Sequence, residues 1–173
     1  MNRKGLVIVL TGDGKGKTSA ALGMALRACG RRMYVSMIQF IKSRRDTGES
    51  MAAERLKPEL EFLTLGKGFV TSAALEYHKR SASSAMSIAS QRVRSGFWDM
   101  VILDEINNAV DLGLIDVSEV LELISIKPPK LHLVLTGRDA RPEVIAAADL
   151  VTEMRSIKHP YDKGIPAQEG IDF

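Results

Sequence analysis

Short apolar runs recur along the chain at Leu6–Leu10, Val35–Phe40, Leu60–Leu65, Met100–Leu103, Leu131–Leu135 and Leu150–Met154. Each has the length of a strand, and several lack the apolar–polar alternation of a half-solvated sheet, which predicts strands covered on both faces. The segments between them read as helices. Lys17–Ala28 is rich in Ala, Leu and Met, and Ala73–Ser95 carries apolar residues scattered among Ser and Arg. Asp116-Val117-Ser118-Glu119 has the form of a capping box, opening a helix that runs through Ile126 and stops at Lys127-Pro128-Pro129. Pro142 suits the first turn of another helix reaching about Ala148. Strands alternating with helices predict one α/β domain over residues 1–173, a mostly parallel sheet flanked by helices, with ligands bound beyond the carboxyl ends of the strands.

Composition narrows this without redirecting it. At 173 residues, 45% hydrophobic and 26% charged, the chain can bury a core, which excludes disorder, collagen-like repeats and coiled coil. The 24 Lys and Arg against 21 Asp and Glu leave a charge of +3, which suits an anionic small molecule as well as nucleic acid. Cys29 is the sole cysteine, so no intramolecular disulfide forms and a reducing cytoplasm is the expected setting. The charged amino terminus is followed by too short an apolar run for a signal peptide or a membrane span.

The first candidate chemistry stands directly after the first run. Thr11-Gly12-Asp13-Gly14-Lys15-Gly16-Lys17-Thr18-Ser19 lets the backbone curl with its N–H groups inward, ahead of the positive end of a helix. Lys17 can reach the terminal phosphates of a nucleotide and the Thr18 hydroxyl can bind Mg²⁺. Against the pattern G-x-x-x-x-G-K-[ST] the first position is Thr11, so the loop counted from Gly12 is one residue shorter than the standard form. The expected binding set is Gly12, Asp13, Gly14, Lys15, Gly16, Lys17, Thr18 and Ser19, in a P-loop NTPase-like, RecA-like fold.

A second element supports the first. Trp98–Glu105 is an apolar strand ending in two carboxylates, the form of a Walker B segment that holds the metal of a nucleotide complex. Spacing leaves open whether Asp104 or Glu105 approaches Mg²⁺, directly or through water. A third run ends in Thr136-Gly137-Arg138, where a basic side chain can neutralise phosphate charge. The polar ends Gln39–Lys42 and Gly66–Phe69 lie along the same expected edge. His78, His132 and His159 lack the spacing of a metal cluster and read as structural or exposed.

These residues, taken in order, resemble the P-loop ATP:corrinoid adenosyltransferases. The resemblance runs through the phosphate loop, Gln39-Phe-Ile-Lys42, Gly48-Glu49, Gly66-x-Gly-Phe69, Leu103-Asp-Glu-Ile106, Leu135-Thr-Gly-Arg138 and the tail from Lys158-His-Pro-Tyr-Asp162 to Ala167-Gln-x-Gly-Ile171. The tail is its most specific part. It implies transfer of the 5′-deoxyadenosyl group from ATP to the Co(I) of a reduced corrinoid, with triphosphate leaving and the nucleotide reversed in the loop relative to ordinary P-loop proteins. Co(I) is itself a strong nucleophile, so no general base is required.

The resemblance further implies Lys17, Glu105 and Arg138 as catalytic residues, Thr18 and Glu105 as metal-holding residues and Phe69 at the corrinoid site. An electron-donor flavoprotein is a candidate partner, a homodimer the expected assembly, and neither nucleic acid nor membrane an expected partner. The sequence departs from the family at Val70-Thr71, where Thr-Trp is common, leaving Phe69 as the aromatic of that loop. The four residues before Gly5 are fewer than the extension that covers the active site in some relatives. A P-loop kinase or ATPase explains the loop and the acidic strand end equally well but not the tail. A nucleic-acid-binding module draws on the basic pI of about 9.1 but lacks a basic stripe with interleaved aromatics.

Overall fold

A computed structural model describes residues 4–44 and 46–173. In chain order it runs β1 (Val7–Thr11), α1 (Lys17–Cys29), β2 (Val35–Gln39), α2 (Gly48–Glu54), β3 (Leu60–Thr64) and α3 (Leu75–Arg94). It continues through β4 (Met100–Asp104), α4 (Ile106–Asp111), α5 (Val117–Ser125), β5 (His132–Thr136), α6 (Pro142–Ala147) and β6 (Leu150–Glu153). Every apolar run in the sequence is a strand. The expected long helix begins as a 3-10 turn at Ser72–Ala74 before α3. Met1–Arg3 of the charged amino terminus lie outside the described residues.

The unalternating runs are explained by how the two faces divide them. Val7 and Val9 of β1 join Val101, Leu103, Leu133 and Leu135 under α3, α4 and α5, while Ile8 and Leu10 join Met37, Ile102 and Val134 under α1. Successive side chains point to opposite faces of a strand, so a run apolar throughout feeds two cores. Ala82, Ala85, Met86, Ala89 and Val93 are the buried stripe of α3, spaced as one helix face. On the other side α1 buries Ala21, Ala25 and Ala28, small residues that let it lie close to the sheet.

Helix ends follow local chemistry. Asp116 accepts from the Ser118 N–H at 2.8 Å, and Glu119 accepts from the Asp116 N–H at 3.0 Å, the reciprocal bonds of a capping box. Pro142 occupies the first turn of α6. Thr47 starts α2 by accepting from the Ser50 N–H at 3.4 Å.

Among the described residues the strands form one sheet in the order β3-β2-β4-β5-β1-β6, each neighbouring pair parallel. All carboxyl ends therefore share one edge. The strand feeding the phosphate loop, β1, and the strand ending in the acidic pair, β4, are not neighbours: β5 lies between them, a gap of about 10 Å. At the sheet's end β6 differs from the other strands, with all four residues exposed and Leu150 and Val151 about two-fifths accessible.

Candidate active site

Lys17 opens α1 directly after Gly16, whose φ of 117° is left-handed and whose position carries no side-chain cap. The first N–H groups of this thirteen-residue helix are thus left for whatever enters the cleft. Gly12 is required for a different reason. Its φ is 93°, and a Cβ there would stand 2.4 Å from the Met154 carbonyl oxygen, because the loop lies directly on the chain leaving β6. The Gly14 N–H donates to that same Met154 carbonyl at 2.7 Å. Across the curl, the Lys17 ammonium donates to the carbonyls of Gly12 at 2.5 Å and Gly14 at 2.7 Å. Burial pulls the Lys17 pKa down, with help from the Arg138 charge, against Asp13, Glu105 and Asp104.

The acidic strand end divides its two carboxylates between two tasks. Asp104, fully buried, accepts from the Thr18 hydroxyl at 2.9 Å, the Thr136 hydroxyl at 2.8 Å and the Gln39 amide at 3.0 Å. Gln39 is held in turn by the Thr64 hydroxyl at 3.0 Å. The network thus crosses the ends of β3, β2, β4 and β5 in sheet order and reaches α1 through Thr18. Glu105 instead sits at φ 64°, a left-handed position that redirects the chain into α4. Its N–H donates to Thr136 at 2.9 Å. Its Oε2 is buried without a hydrogen-bond partner. Burial, then the Asp104 charge, pushes the Glu105 carboxyl above its usual range, opposed by Lys42 and Lys17.

The turn after β5 is braced by α4. Gly137 has φ 131°, and a Cβ there would fall 2.6 Å from Asn108 Oδ1, so only glycine fits against the Asn107-Asn108 pair. Asn108 accepts from the Arg138 N–H at 3.1 Å, and the Asn107 amide donates to the Gly137 carbonyl at 3.4 Å. These bonds fix the backbone at Arg138, which lines the same cleft as Lys17.

The tail supplies the remaining wall. Lys15 donates to Asp172 at 2.5 Å, and the Arg44 guanidinium lies 4.8 Å from the Phe173 ring centroid. The cleft so enclosed measures about 990 Å³. Asp13, Gly14, Lys15, Gly16, Lys17, Thr18, Ser19, Glu105 and Arg138 all line it. Gly12 lies beneath, as the loop's floor. Phe69 does not join them: it lies outside the cleft lining and is 97% exposed.

Sequence reasoning missed the Asn108 brace and left Asp104 and Glu105 undivided. The signal for Asn108 was the Asn-Asn pair one residue beyond the acidic strand end. The three histidines lie apart, and of them only His159 lines the cleft. His78 is buried on α3, His132 accepts from the Leu6 N–H at 3.2 Å, and His159 accepts from the Tyr161 N–H at 3.2 Å. Cys29 is half-buried and burial raises its thiol pKa.

The donor set fits Mg²⁺. Thr18 Oγ1 stands against Asp104, and Glu105, whose Oε2 has no hydrogen-bond partner, lines the same cleft. No group of three or more His, Cys, Asp or Glu suited to a metal occurs among the described residues. A magnesium ion that takes most of its ligands from water and phosphate needs no such cage.

A phosphate-type loop before an uncapped helix, facing an acidic strand end two places along a parallel sheet, defines the P-loop NTPase-like class of α/β protein. Two solved structures share this fold: the flagellar accessory protein FlaH from Methanocaldococcus jannaschii (TM-score 0.57, 13% identity, 87% of this chain and 71% of that one) and the KaiC-like protein PH0186 from Pyrococcus horikoshii (TM-score 0.56, 15% identity, 87% and 73%). Within that class, the chain belongs to the ATP:corrinoid adenosyltransferase family BtuR/CobO/CobP, whose model matches residues 3–173. It is similar to a corrinoid adenosyltransferase of Sinorhizobium sp (42% identical, 99% of this chain, 82% of the relative) and to one of Pseudomonas aeruginosa (38% identical, 99% and 85%). It is thus an enzyme of the corrinoid adenosyltransferase type. No helix among the described residues is long and apolar enough to cross a membrane.

Proposed function

We propose that this protein transfers the 5′-deoxyadenosyl group of ATP to the Co(I) of a reduced corrinoid and releases triphosphate. The observation that carries the reading is the convergence of Lys17, the uncapped start of α1, Glu105 and Arg138 on one cleft, in a chain of this family. The electron pair of Co(I) forms the bond to C5′ while the C5′–O bond breaks, and that bonding pair leaves on the triphosphate. No proton moves in this step, so the protein's work is orientation and stabilisation of the charge gathering on the leaving group.

Lys17, Arg138 and the N–H groups of the loop and of α1 do that work by meeting the phosphate oxygens. Thr18 and Glu105, with Asp104 behind them, are the residues that would hold Mg²⁺, which when bound supplies further positive charge to the triphosphate. Phe69, exposed after the carboxyl end of β3, is the residue offered to the corrinoid. The reading extends to one domain over residues 1–173, a homodimer and a cytoplasmic setting. An electron-donor flavoprotein supplies the reduced cobalt.

The test is to supply ATP, Mg²⁺ and a chemically reduced corrinoid and to follow formation of a light-sensitive Co–C bond. Adenosylated corrinoid and triphosphate in equal amounts are expected. ATP binding without product across several corrinoids, or release of ADP and phosphate, overturns the reading, the latter in favour of a kinase or ATPase.

A further inference from the structure

The oxygens suited to a divalent ion already face a cation that belongs to the chain. Lys42, just beyond β2, places its ammonium 3.4 Å from Thr18 Oγ1, 3.5 Å from Asp104 Oδ2 and 3.8 Å from Glu49 Oε1. Thr18 gives its proton to Asp104 Oδ1, so the ammonium approaches the lone-pair side of that hydroxyl, the side a metal would use. The same residue meets Glu105 twice, through its backbone N–H and through its charge. The seat is specific: the Asp104 carboxylate is fully buried, and the amine reaching it comes from a flexible four-carbon stem one-third exposed to the cleft.

An ammonium and a divalent cation cannot share one set of oxygens, because like charges at such separations repel strongly. We propose that Lys42 is an internal counter-cation. It occupies the Thr18–Asp104 oxygens of the nucleotide-free protein and yields them to the divalent ion, so that it sets the protein's metal affinity. The inference rests on the reading of Thr18 and Glu105 as the metal-holding residues. It explains how a buried carboxylate beside a second one is kept neutralised when no nucleotide is bound. It also makes metal entry depend on the nucleotide. The phosphates bring negative charge that offsets the repulsion and offers the displaced ammonium a new partner, while Glu49 holds it nearby.

The test uses Mn²⁺ alone, titrated into nucleotide-free protein and followed by the electron paramagnetic resonance of the free ion. Lys42→Met and Lys42→Gln each remove the charge, and thermal melting identifies which of them is folded. The neutral variant is expected to bind Mn²⁺ at least about tenfold more tightly than the parent. Lys42→Arg is expected to bind it as weakly as the parent does. Adding Thr18→Val to the neutral variant is expected to abolish the gain.

Equal or weaker Mn²⁺ binding by a folded neutral variant overturns the proposal, since a merely structural ion pair would lower the melting temperature without raising metal affinity. A gain that survives Thr18→Val also overturns it, because the metal then sits elsewhere. Neither ATP nor corrinoid enters this titration, so failure of adenosyl transfer would leave its outcome readable.

Discussion

The Thr18 hydroxyl donates to Asp104 Oδ1 at 2.9 Å, tying the first turn of α1 to a strand two places away in the sheet. With Thr136 and Gln39 donating to the same buried carboxylate, Asp104 is the hub on which the cleft floor is assembled. Asp104→Asn keeps the shape but replaces one acceptor oxygen by a donor that faces other donors. We expect it to cost about 2–4 kcal/mol of stability in urea unfolding. Thr18→Val removes one of several donors and should cost only about 1 kcal/mol, while Mg²⁺-dependent nucleotide binding falls. Equal losses for the two variants would contradict the division between hub and ligand.

Lys17 binds its own loop through the Gly12 and Gly14 carbonyls, so its removal touches both the loop's shape and its charge. Lys17→Ala should leave the circular dichroism spectrum intact, since the residue lies at a helix start and outside both cores. Turnover should drop by at least about 10²-fold, the scale of losing one preorganised charge at a transition state. Unchanged turnover in a folded variant would refute the phosphate role.

Much of this arrangement was legible in the sequence, for reasons visible in particular residues. Strands such as Val7–Thr11 and Met100–Asp104 are apolar on both faces because helices cover both, and that pattern survives translation into one dimension. The phosphate loop is local, nine consecutive residues whose types dictate its curl. What was not legible depends on pairing between distant segments. Nothing in the run Leu131–Leu135 says that β5 lies between β1 and β4, yet this places Thr136 where it bridges Asp104 and the Glu105 N–H. The separate tasks of Asp104 and Glu105 turn on one backbone angle, the left-handed φ of Glu105. The short α2 and α4 escaped notice because seven and six residues carry too little periodicity to stand out. β6 read as a strand but not as an exposed one, since its composition does not reveal that all four of its residues stay open to solvent.

On the proposed reading Phe69 serves the corrinoid and not the nucleotide. At 97% exposure it contributes almost nothing to the fold, and it stands outside the cleft lined by the phosphate-type loop. Phe69→Ala should therefore leave the melting temperature and ATP affinity unchanged. Corrinoid turnover should fall by about tenfold, in line with losing the contact area of one aromatic ring. A drop in ATP affinity instead would mean that the loop after β3 serves the nucleotide.

The Glu61–Arg92 pair predicts a loss of stability in acid. Arg92 donates from Nε and Nη2 to the two Glu61 oxygens at 2.8 and 2.9 Å, and Ser36 adds a bond at 2.7 Å. Burial pushes the Glu61 carboxyl up, but these bonds together outweigh it and hold its pKa below the usual value. A depressed folded pKa gives stability that is present above the unfolded value of about 4.3 and lost as the pH falls through the folded one. Arg92→Met should lower the melting temperature near neutrality, and the difference from the parent should shrink in acid. A difference independent of pH would assign the effect to packing against Trp98, whose ring lies 5.8 Å from the guanidinium.

Glu105 predicts the opposite sign. Its carboxyl is pushed up by burial and by Asp104, and Oε2 has no partner. Between the unfolded value of about 4.3 and the raised folded value, the folded protein binds more protons than the unfolded one, so stability falls as the pH rises through that window. Above it the full cost of the buried charge is present. Glu105→Gln removes the charge at nearly constant shape, so it should melt at a higher temperature than the parent near neutral pH, with the gain shrinking as the pH approaches 4.3 from above. Turnover should fall by about 10²-fold or more if the carboxylate holds the metal. A variant that is both more stable and inactive identifies Glu105 as a residue retained for chemistry at the expense of the fold. A variant less stable than the parent at neutral pH would mean that the ionised carboxylate is well satisfied where it stands.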